Sequence, residues 1–198
     1  MPKAIFSVYD KTAVEFAGKV LQSQGFDIYA TPGTLRYLNN YQIQAFPVED
    51  YCLNPQGFND YFSSLSFNTL VGVLTDHSRQ VKDFLIDKID VVVYNFVPTW
   101  KIISNVHDFD IKNVDLGGPT IVRAAAINYK NTIPIISPSQ YPILKDLYSI
   151  SLETRIALAR NAFDYCSWYD QQLSQFLESS YLSSSILGDV IEKEKREQ

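Results

Sequence analysis

Apolar and polar residues follow two alternating patterns along most of this chain. Short apolar runs predict β-strands at residues 4–8, 26–30, 43–48, 69–74, 91–94 and 132–136. Apolar positions at helical spacing predict helices at residues 13–21, 35–38, 77–86, 99–107, 117–126, 138–147 and 151–177. Strands that alternate with helices favour a mostly parallel sheet with helices on both faces. The predicted fold class is therefore α/β, with a long C-terminal helix added after the last strand.

Three short segments carry the signals expected at helix ends. Asp10 precedes the first helical stretch and is a candidate N-cap, and Gly25 follows that helix at the position of a C′ glycine. Gly117-Gly118-Pro119 begins another helix, with the proline near its first turn.

We expect one domain over residues 1–180 and a charged tail, frayed or disordered, over 181–198.

Composition and charge exclude several classes of protein. The formal net charge is −5, and without a basic stripe the chain is a poor candidate for binding nucleic acid. No apolar run approaches the roughly 20 residues of a membrane span, and the N-terminus has no signal-peptide pattern, so a cytoplasmic location is expected. Cys52 and Cys166 lack the spacing of a metal site or a disulfide framework. No metal or cofactor is predicted.

Candidate ligand-binding segments lie where predicted parallel strands end, since ligands of open α/β sheets bind beyond the carboxyl ends of the strands. These segments are Tyr9–Thr12, Thr31–Thr34 and Asn95–Pro98. Asp115–Pro119 precedes a helix and could face the same crevice.

The Thr31–Thr34 turn has the chemistry of a phosphate cradle. Gly33 lets the backbone approach an anion, two threonine hydroxyls and free helix N–H groups can donate to it, and Lys11 can supply a countercharge. The same TPGT sequence is also ordinary chemistry for starting a helix. Neither His77 nor His107 falls in a catalytic arrangement. The residues alone therefore indicate a parallel α/β domain with a candidate phosphate site.

Five segments resemble a known family. SVYDKTAVEFA resembles S-V-S-D-K-T-G-V-E-F-A, YATPGT resembles a loop with S-T/S-G-G-T, and VVVYNFVP resembles V-V-N-L-Y-P-F. VDLGGPTIVRAAAINYK resembles I-D-I-G-G-P-S-M-L-R-A-A-A-K-N-H, and SLETRIALARNAFDYCSWYD resembles S-L-E-T-R-R-x-L-A-x-K-A-F-x-H-T-A-x-Y-D. These motifs belong to the IMP cyclohydrolase domain of the bifunctional purine biosynthesis enzyme, and they occur in order over residues 4–177.

This resemblance implies a fold, a substrate and an assembly. The fold would be methylglyoxal-synthase-like, in a homodimer, without the formyltransferase domain of the bifunctional enzyme. The substrate would be the formylated aminoimidazole carboxamide ribotide, a phosphorylated purine precursor, which closes to IMP when its carboxamide nitrogen attacks the formyl carbon and water leaves. Such a ring closure requires a base for the nitrogen and a donor for the developing oxyanion.

The resemblance also implies site residues where this sequence matches the family motifs. Asp115 would be the catalytic aspartate. The substrate-binding residues would be Lys11, Thr31, Gly33, Thr34, Asn95, Leu116, Gly117 and Asn128.

Several family side chains are replaced in this sequence. The segment that brings an arginine and a catalytic lysine corresponds to Ser63–Gly72, which contains neither. Val97 stands where the family has tyrosine, and Ile127 and Tyr129 stand where it has lysine and histidine. Tyr9 replaces a small serine. Of the four side chains usually assigned to the chemistry, the match retains only Asp115.

Three hypotheses remain open from the sequence. The first is a degenerate domain that binds a purine ribotide or another phosphorylated molecule with weak or no turnover. The second is a working, divergent IMP cyclohydrolase in which a partner subunit, or a relocated residue such as Tyr94 or Lys101, supplies a missing group. The third is an interaction or structural protein whose crevice is filled by Tyr9, Phe67 and Val97.

Overall fold

The structure, a computed structural model, describes residues 1–53, 64–76, 86–102 and 114–182, with side chains as far as residue 178. Five strands within these ranges form one parallel sheet in the order β3-β2-β1-β4-β5. The strands are β1 (Lys3–Val8), β2 (Asp27–Ala30), β3 (Phe46–Pro47), β4 (Val91–Asn95) and β5 (Ile133–Ile135). The predicted parallel α/β fold is confirmed.

Helices of the described ranges cover both faces of this sheet. They are α1 (Val14–Ser23), α2 (Pro32–Asn40), α3 (Val48–Cys52), α4 (Phe67–Leu74), α5 (Thr99–Ile102), α6 (Gly117–Ile127) and α7 (Leu152–Leu182), together with a 3₁₀ segment (Pro138–Ser149). One face carries α1, α2 and the 3₁₀ segment, and the other carries α3, α4, α6 and α7. The predicted long C-terminal helix is α7.

Successive residues of the central strands enter two separate cores. Phe6 and Val93 point to the core beneath α1, whereas Ile5 and Val92 point to the core beneath α6 and α7. All four side chains are completely buried. A strand covered on both faces reads as a continuous apolar run rather than an alternating one, which explains the sequences AIFSV and VVVY.

The prediction of a strand at residues 69–74 is wrong, because this segment forms helix α4. The Ser66 hydroxyl caps α4 by accepting a hydrogen bond from the Thr69 N–H at 3.0 Å. Thr69, Gly72 and Val73 are buried along one stripe, at the spacing of a helix. The run is apolar and short, so periodicity alone does not distinguish the two structures.

Other predicted boundaries change in smaller ways. The strand predicted at 43–48 pairs with β2 only at Phe46 and Pro47, because helix α3 begins at Val48. Asp10 does not cap α1: its carboxylate accepts from the N–H and hydroxyl of Thr12 at 2.9 and 2.6 Å, and α1 begins later, after Ala13. Gly25 has φ +77°, as a glycine that follows a helix requires.

Some sequence predictions fall on residues outside the described ranges. The helix predicted at 77–86 lies there except for Ile86, and the helix predicted at 99–107 is described only as α5. His77, His107 and residues 183–198 of the tail also lie outside. In the described part of the chain, no helix combines the length and apolar character needed to cross a membrane.

Candidate functional site

The carboxyl ends of β1 and β4 are joined by the side chain of Asn95. Its amide oxygen accepts hydrogen bonds from the backbone N–H groups of Tyr9 and Asp10 at 2.6 and 2.8 Å. Its amide nitrogen donates to the Asp10 carbonyl at 2.9 Å. Asn95 therefore fixes the turn that carries Lys11.

Thr34 joins the end of β1 to the first turn of α2. Its buried hydroxyl accepts from the Val8 N–H at 3.2 Å and lies 3.3 Å from the Val8 carbonyl, to which it donates. The Thr31 hydroxyl lies 3.3 Å from the Ser7 hydroxyl, and the Thr31 N–H donates to the Phe6 carbonyl at 3.0 Å. The predicted phosphate loop is thus held against β1 by four hydrogen bonds through these two threonines.

The backbone of this loop is open to an approaching anion. The Thr31 side chain does not cap α2, and Pro32 occupies the first turn and has no N–H. The first N–H groups of a helix have no acceptor within it, so those of Gly33 and Thr34 are available. A Cβ atom placed on Gly33 would meet no atom within 4 Å, so the space above these donors is free.

Lys11 lies beside this loop. Its ammonium donates to the Val8 carbonyl and, at 3.4 Å, to the Tyr9 carbonyl. Burial lowers the pKa of Lys11, the charge of Asp10 opposes that shift, and the nearby charge of Arg36 adds to it. Arg36 is an exposed residue of α2 and is not among the site residues predicted from the sequence. Two cations and a helix N-terminus therefore share this corner of the sheet edge.

Asp115 lies just before α6, next to the end of β4. One carboxylate oxygen accepts from the Gly118 N–H at 2.7 Å, and the other accepts from the Val97 N–H at 3.2 Å. Burial raises the pKa of this carboxyl group, and the two hydrogen bonds oppose the rise. A Cβ atom on Gly118 would lie 2.8 Å from this carboxylate, so only glycine permits the approach.

Two tyrosines of α7, one helical turn apart, hold the backbone around Asp115. The Tyr169 hydroxyl accepts from the Asp115 N–H at 3.0 Å, and the Tyr165 hydroxyl accepts from the Phe96 N–H at 3.1 Å. The rings of Phe96 and Tyr165 stack with centroids 4.4 Å apart. Neither tyrosine is recognisable as part of the site from the sequence, because nothing local in α7 indicates a contact with β4.

Leu116 and Gly117 complete the entrance to α6. Leu116 is exposed, and a Cβ atom on Gly117 would lie 3.5 Å from both the Leu65 Cβ and the Ser64 hydroxyl oxygen. The segment before α4 therefore packs against the N-terminus of α6. This segment corresponds to the one that contains an arginine and a lysine in the family motif.

Asn128 is the one predicted site residue that the fold places elsewhere. It follows the C-terminus of α6, and its amide nitrogen donates to the carbonyls of Val73 and Thr75 at 2.8 and 3.2 Å. Helix α6 has 11 residues, and at 1.5 Å per residue its two ends are about 16 Å apart. Within one chain, Asn128 and Asp115 are therefore at opposite edges of the sheet.

Two of the side chains expected to fill the crevice are largely open to solvent. The side chains of Tyr9 and Phe67 are 52% and 61% exposed. These exposures argue against the expectation for Tyr9 and Phe67, whereas Val97, the third side chain of that expectation, is half-buried. Tyr94 is buried, and burial raises the pKa of its hydroxyl far above the ordinary tyrosine value, so that hydroxyl stays protonated. Within the described ranges, no group of three or more His, Cys, Asp or Glu residues could hold a metal ion.

Most of the chain is similar in sequence to part of a known enzyme. It is 34% identical over 187 residues to the bifunctional purine biosynthesis protein PurH of Acetivibrio thermocellus, an alignment covering 88% of this chain and 36% of that protein. The chain is homologous to one part of PurH. The PurH of Ruminiclostridium cellulolyticum is 30% identical over 200 residues, covering 95% of this chain and 38% of that protein. The chain thus spans just over a third of the length of these PurH relatives.

A solved structure has a similar fold over most of this chain. The crystal structure of ForH superimposes with a TM-score of 0.80 at 25% identity, covering 91% of this chain and 98% of that one. No protein-family model matches the chain. The sequence-based resemblance to the purine biosynthesis enzyme is confirmed by the PurH relatives.

Proposed function

We propose that this domain binds a purine ribotide, or a closely similar phosphorylated molecule, at the carboxyl edge of its sheet, with weak or no IMP cyclohydrolase turnover. The observation that carries the proposal is the convergence of Lys11, Thr31–Thr34, Asn95 and Asp115 at that edge. Homology to PurH supplies the class of ligand. A cytoplasmic location, where purine ribotides are made, is part of the same proposal.

The phosphate would bind at the first turn of α2. The free N–H groups of Gly33 and Thr34 point to this position, and the charges of Lys11 and Arg36 favour a dianion there. The purine portion would extend toward Asp115 and the exposed Leu116 at the N-terminus of α6. Hydrogen bonds within the described part of the chain already fix the segments that carry Lys11, Thr34 and Asp115.

Weak turnover follows from the groups around Asp115. Its carboxylate can serve as the base for the carboxamide nitrogen, and burial raises its pKa toward the range useful for that role. A donor for the developing oxyanion is harder to assign, because Val97 and Ile127 replace the family's tyrosine and lysine. Losing one such donor typically lowers the rate by roughly 10²–10³.

Calorimetric titration with IMP tests the binding proposal. We expect saturable binding by the natural chain and at least about tenfold weaker binding by Lys11→Met, since a charge-assisted hydrogen bond to phosphate is lost. Lys19→Met removes the same charge from the exposed face of α1 and should bind IMP normally. Equal affinities of the two variants, or no binding by any of them, would reject the site.

A specific observation also favours a second candidate, an active divergent cyclohydrolase. Asp115 keeps both a base-like environment and a defined orientation through Gly118 and Val97. Incubation with the formylated ribotide distinguishes the two. IMP formation that is faster than in buffer and disappears in Asp115→Asn would establish turnover, whereas no acceleration alongside an active PurH would leave binding alone.

The functional unit we propose is a homodimer. Asp115 and Asn128 lie at opposite ends of α6, so a site containing both requires a second copy of the chain. An open groove of about 480 Å³ between α6 and α7 lies beside Asn128. Its exposed apolar side chains are Ile127, Ile156 and Phe163. The groove is continuous with the end of α6 that would have to approach the partner's site.

Sedimentation analysis tests this assembly. We expect a dimer for the natural chain and a monomer for Phe163→Glu, which places a charge in the apolar groove. Leu53→Glu changes an equally apolar but more exposed residue outside the groove and should leave the dimer intact. A monomeric natural chain, or a Phe163→Glu dimer as stable as the natural one, would contradict the proposal.

A further inference from the structure

A second pocket lies at the amino edge of the sheet, opposite the candidate site. Its floor includes Val91 and Ile133, the first residues of β4 and β5, and its volume is about 220 Å³. The turn after α6, the end of the 3₁₀ segment and the first turns of α7 form its walls. None of the residues assigned to the carboxyl-edge site lines this pocket.

Cations dominate the walls of this pocket. Lys88, Lys130 and Arg155 line it, with Asp90 as the single acidic residue among the described residues of its lining. Lys88 is paired with Asp90 at 2.8 Å, so these two charges balance. In the part of the chain that the structure describes, neither Lys130 nor Arg155 has a carboxylate within ion-pair distance. Two uncompensated positive charges in a chain of net charge −5 make this pocket attractive to an anion.

Arg155 is held in place for such a contact. One guanidinium nitrogen donates to the Tyr129 carbonyl at 3.3 Å, next to Lys130 in the chain. A guanidinium has five N–H donors in a rigid fork, so this bond fixes its orientation and leaves donors for a ligand. Arg155 is partly buried, which reduces the screening of its charge by solvent.

The rest of the pocket suits a small planar body. Phe26, Ile133 and Leu147 supply an apolar floor, and the ring of Tyr148 stands beside it. Tyr148 is 80% exposed, an unusual position for a large aromatic ring, so most of its surface is open to a ligand. A volume of about 220 Å³ accommodates one ring with its charged group and is smaller than the space a drug-sized ligand fills.

We propose that this pocket is a second binding site for a small oxyanion, a phosphate or carboxylate carried on a single planar ring. Lys130 and Arg155 bind the oxyanion, and the ring stacks on Tyr148 above the apolar floor. The site is separate from the carboxyl-edge site and does not depend on the function proposed for that site.

Titration of isotope-labelled protein with phenyl phosphate, followed by amide chemical shifts, tests the proposal. We expect saturable shifts at Asn131, Ile133 and Tyr148. The dissociation constant should be about five- to tenfold larger in Lys130→Gln, because one charge-assisted contact is lost. Tyr148→Ala should weaken the binding of phenyl phosphate but not the binding of inorganic phosphate. Parallel titration with benzoate distinguishes a phosphate site from a carboxylate site.

Two further variants separate binding in this pocket from a general effect of charge or of folding. Lys19→Gln removes a charge of α1 that lies outside this pocket and should bind phenyl phosphate normally. Arg155→Gln should weaken binding as Lys130→Gln does. If its spectrum shows a disturbed fold, the exposed Lys130 variant decides the result. Unchanged affinity in Lys130→Gln, an equal loss of affinity in Lys19→Gln, or no saturable shift with either compound would overturn the proposal.

Discussion

The hydroxyl of Tyr169 accepts a hydrogen bond from the backbone N–H of Asp115 at 3.0 Å. It also lies 3.3 Å from the hydroxyl of Thr99, so one side chain of α7 joins two segments that follow β4. The stability of the long helix and the placement of the candidate base are therefore coupled through one buried tyrosine.

Tyr169→Phe is expected to lower the free energy of unfolding by about 1–3 kcal/mol, because the partly buried Asp115 N–H loses its acceptor. The same variant should weaken IMP binding, since the segment carrying Asp115 is no longer fixed. Urea unfolding and calorimetry measure the two effects. Tyr148→Phe, which changes an exposed hydroxyl, should stay within about 0.5 kcal/mol of the natural chain. Equal stability of the two variants would contradict the coupling.

Asp115→Asn is expected to change how stability depends on pH. Because burial raises the pKa of Asp115, the folded chain retains this proton to higher pH than the unfolded chain does. The natural chain should therefore lose stability relative to Asp115→Asn as the pH rises from the ordinary aspartate pKa through the raised value. Above that range the difference should be constant. Urea unfolding of both proteins between pH 4 and neutrality checks this, and parallel curves would show that the prediction is wrong.

Thr34→Val is expected to separate α2 from the end of β1. The variant leaves the Val8 N–H without its acceptor in a buried position, at a cost of about 1–3 kcal/mol in the free energy of unfolding. Thr34→Ser keeps the hydroxyl and should retain most of the stability. The same comparison, measured with IMP, should show weaker binding only for valine. Identical unfolding curves for valine and serine would mean that the hydroxyl has no such role.

Tyr9→Ser is expected to increase IMP affinity several-fold with little effect on stability. The ring of Tyr9 is half exposed beside Lys11, so its removal costs little burial and widens the approach to the phosphate loop. Tyr9→Phe keeps the ring and serves as the matched control, with unchanged affinity. Calorimetric titration of both variants measures the difference, and a loss of affinity in Tyr9→Ser would instead show that the ring contacts the ligand.

The sequence predicted those parts of the fold whose determinants are local or fully buried. Strands β1 and β4 were evident because burial on both faces leaves continuous apolar runs. The loop before α2 was evident because glycine and proline mark such turns directly. Helix α4 was not evident from the sequence. It depends on the Ser66 cap and on the packing of Gly72 against Tyr51, and a short apolar run does not reveal such a contact.

The candidate site was also only partly predictable from the sequence. Lys11, the Thr31–Thr34 loop, Asn95 and Asp115 were identified by motif and by their positions after strands, and the fold brings them to one edge. Arg36, Tyr165 and Tyr169 were missed because their roles arise from contacts between distant parts of the chain. Predicting that Asn128 and Asp115 are far apart requires the direction of α6 relative to the sheet. The spacing of the motifs does not give this direction.

Asn95 uses its amide oxygen twice and its amide nitrogen once to hold the turn at Tyr9 and Asp10. That turn is consequently in place before any ligand arrives, and little conformational entropy remains to be lost on association. Ordering of this turn should therefore add no slow step to association, and the turn itself should contribute no plateau to the dependence of the observed rate on ligand concentration.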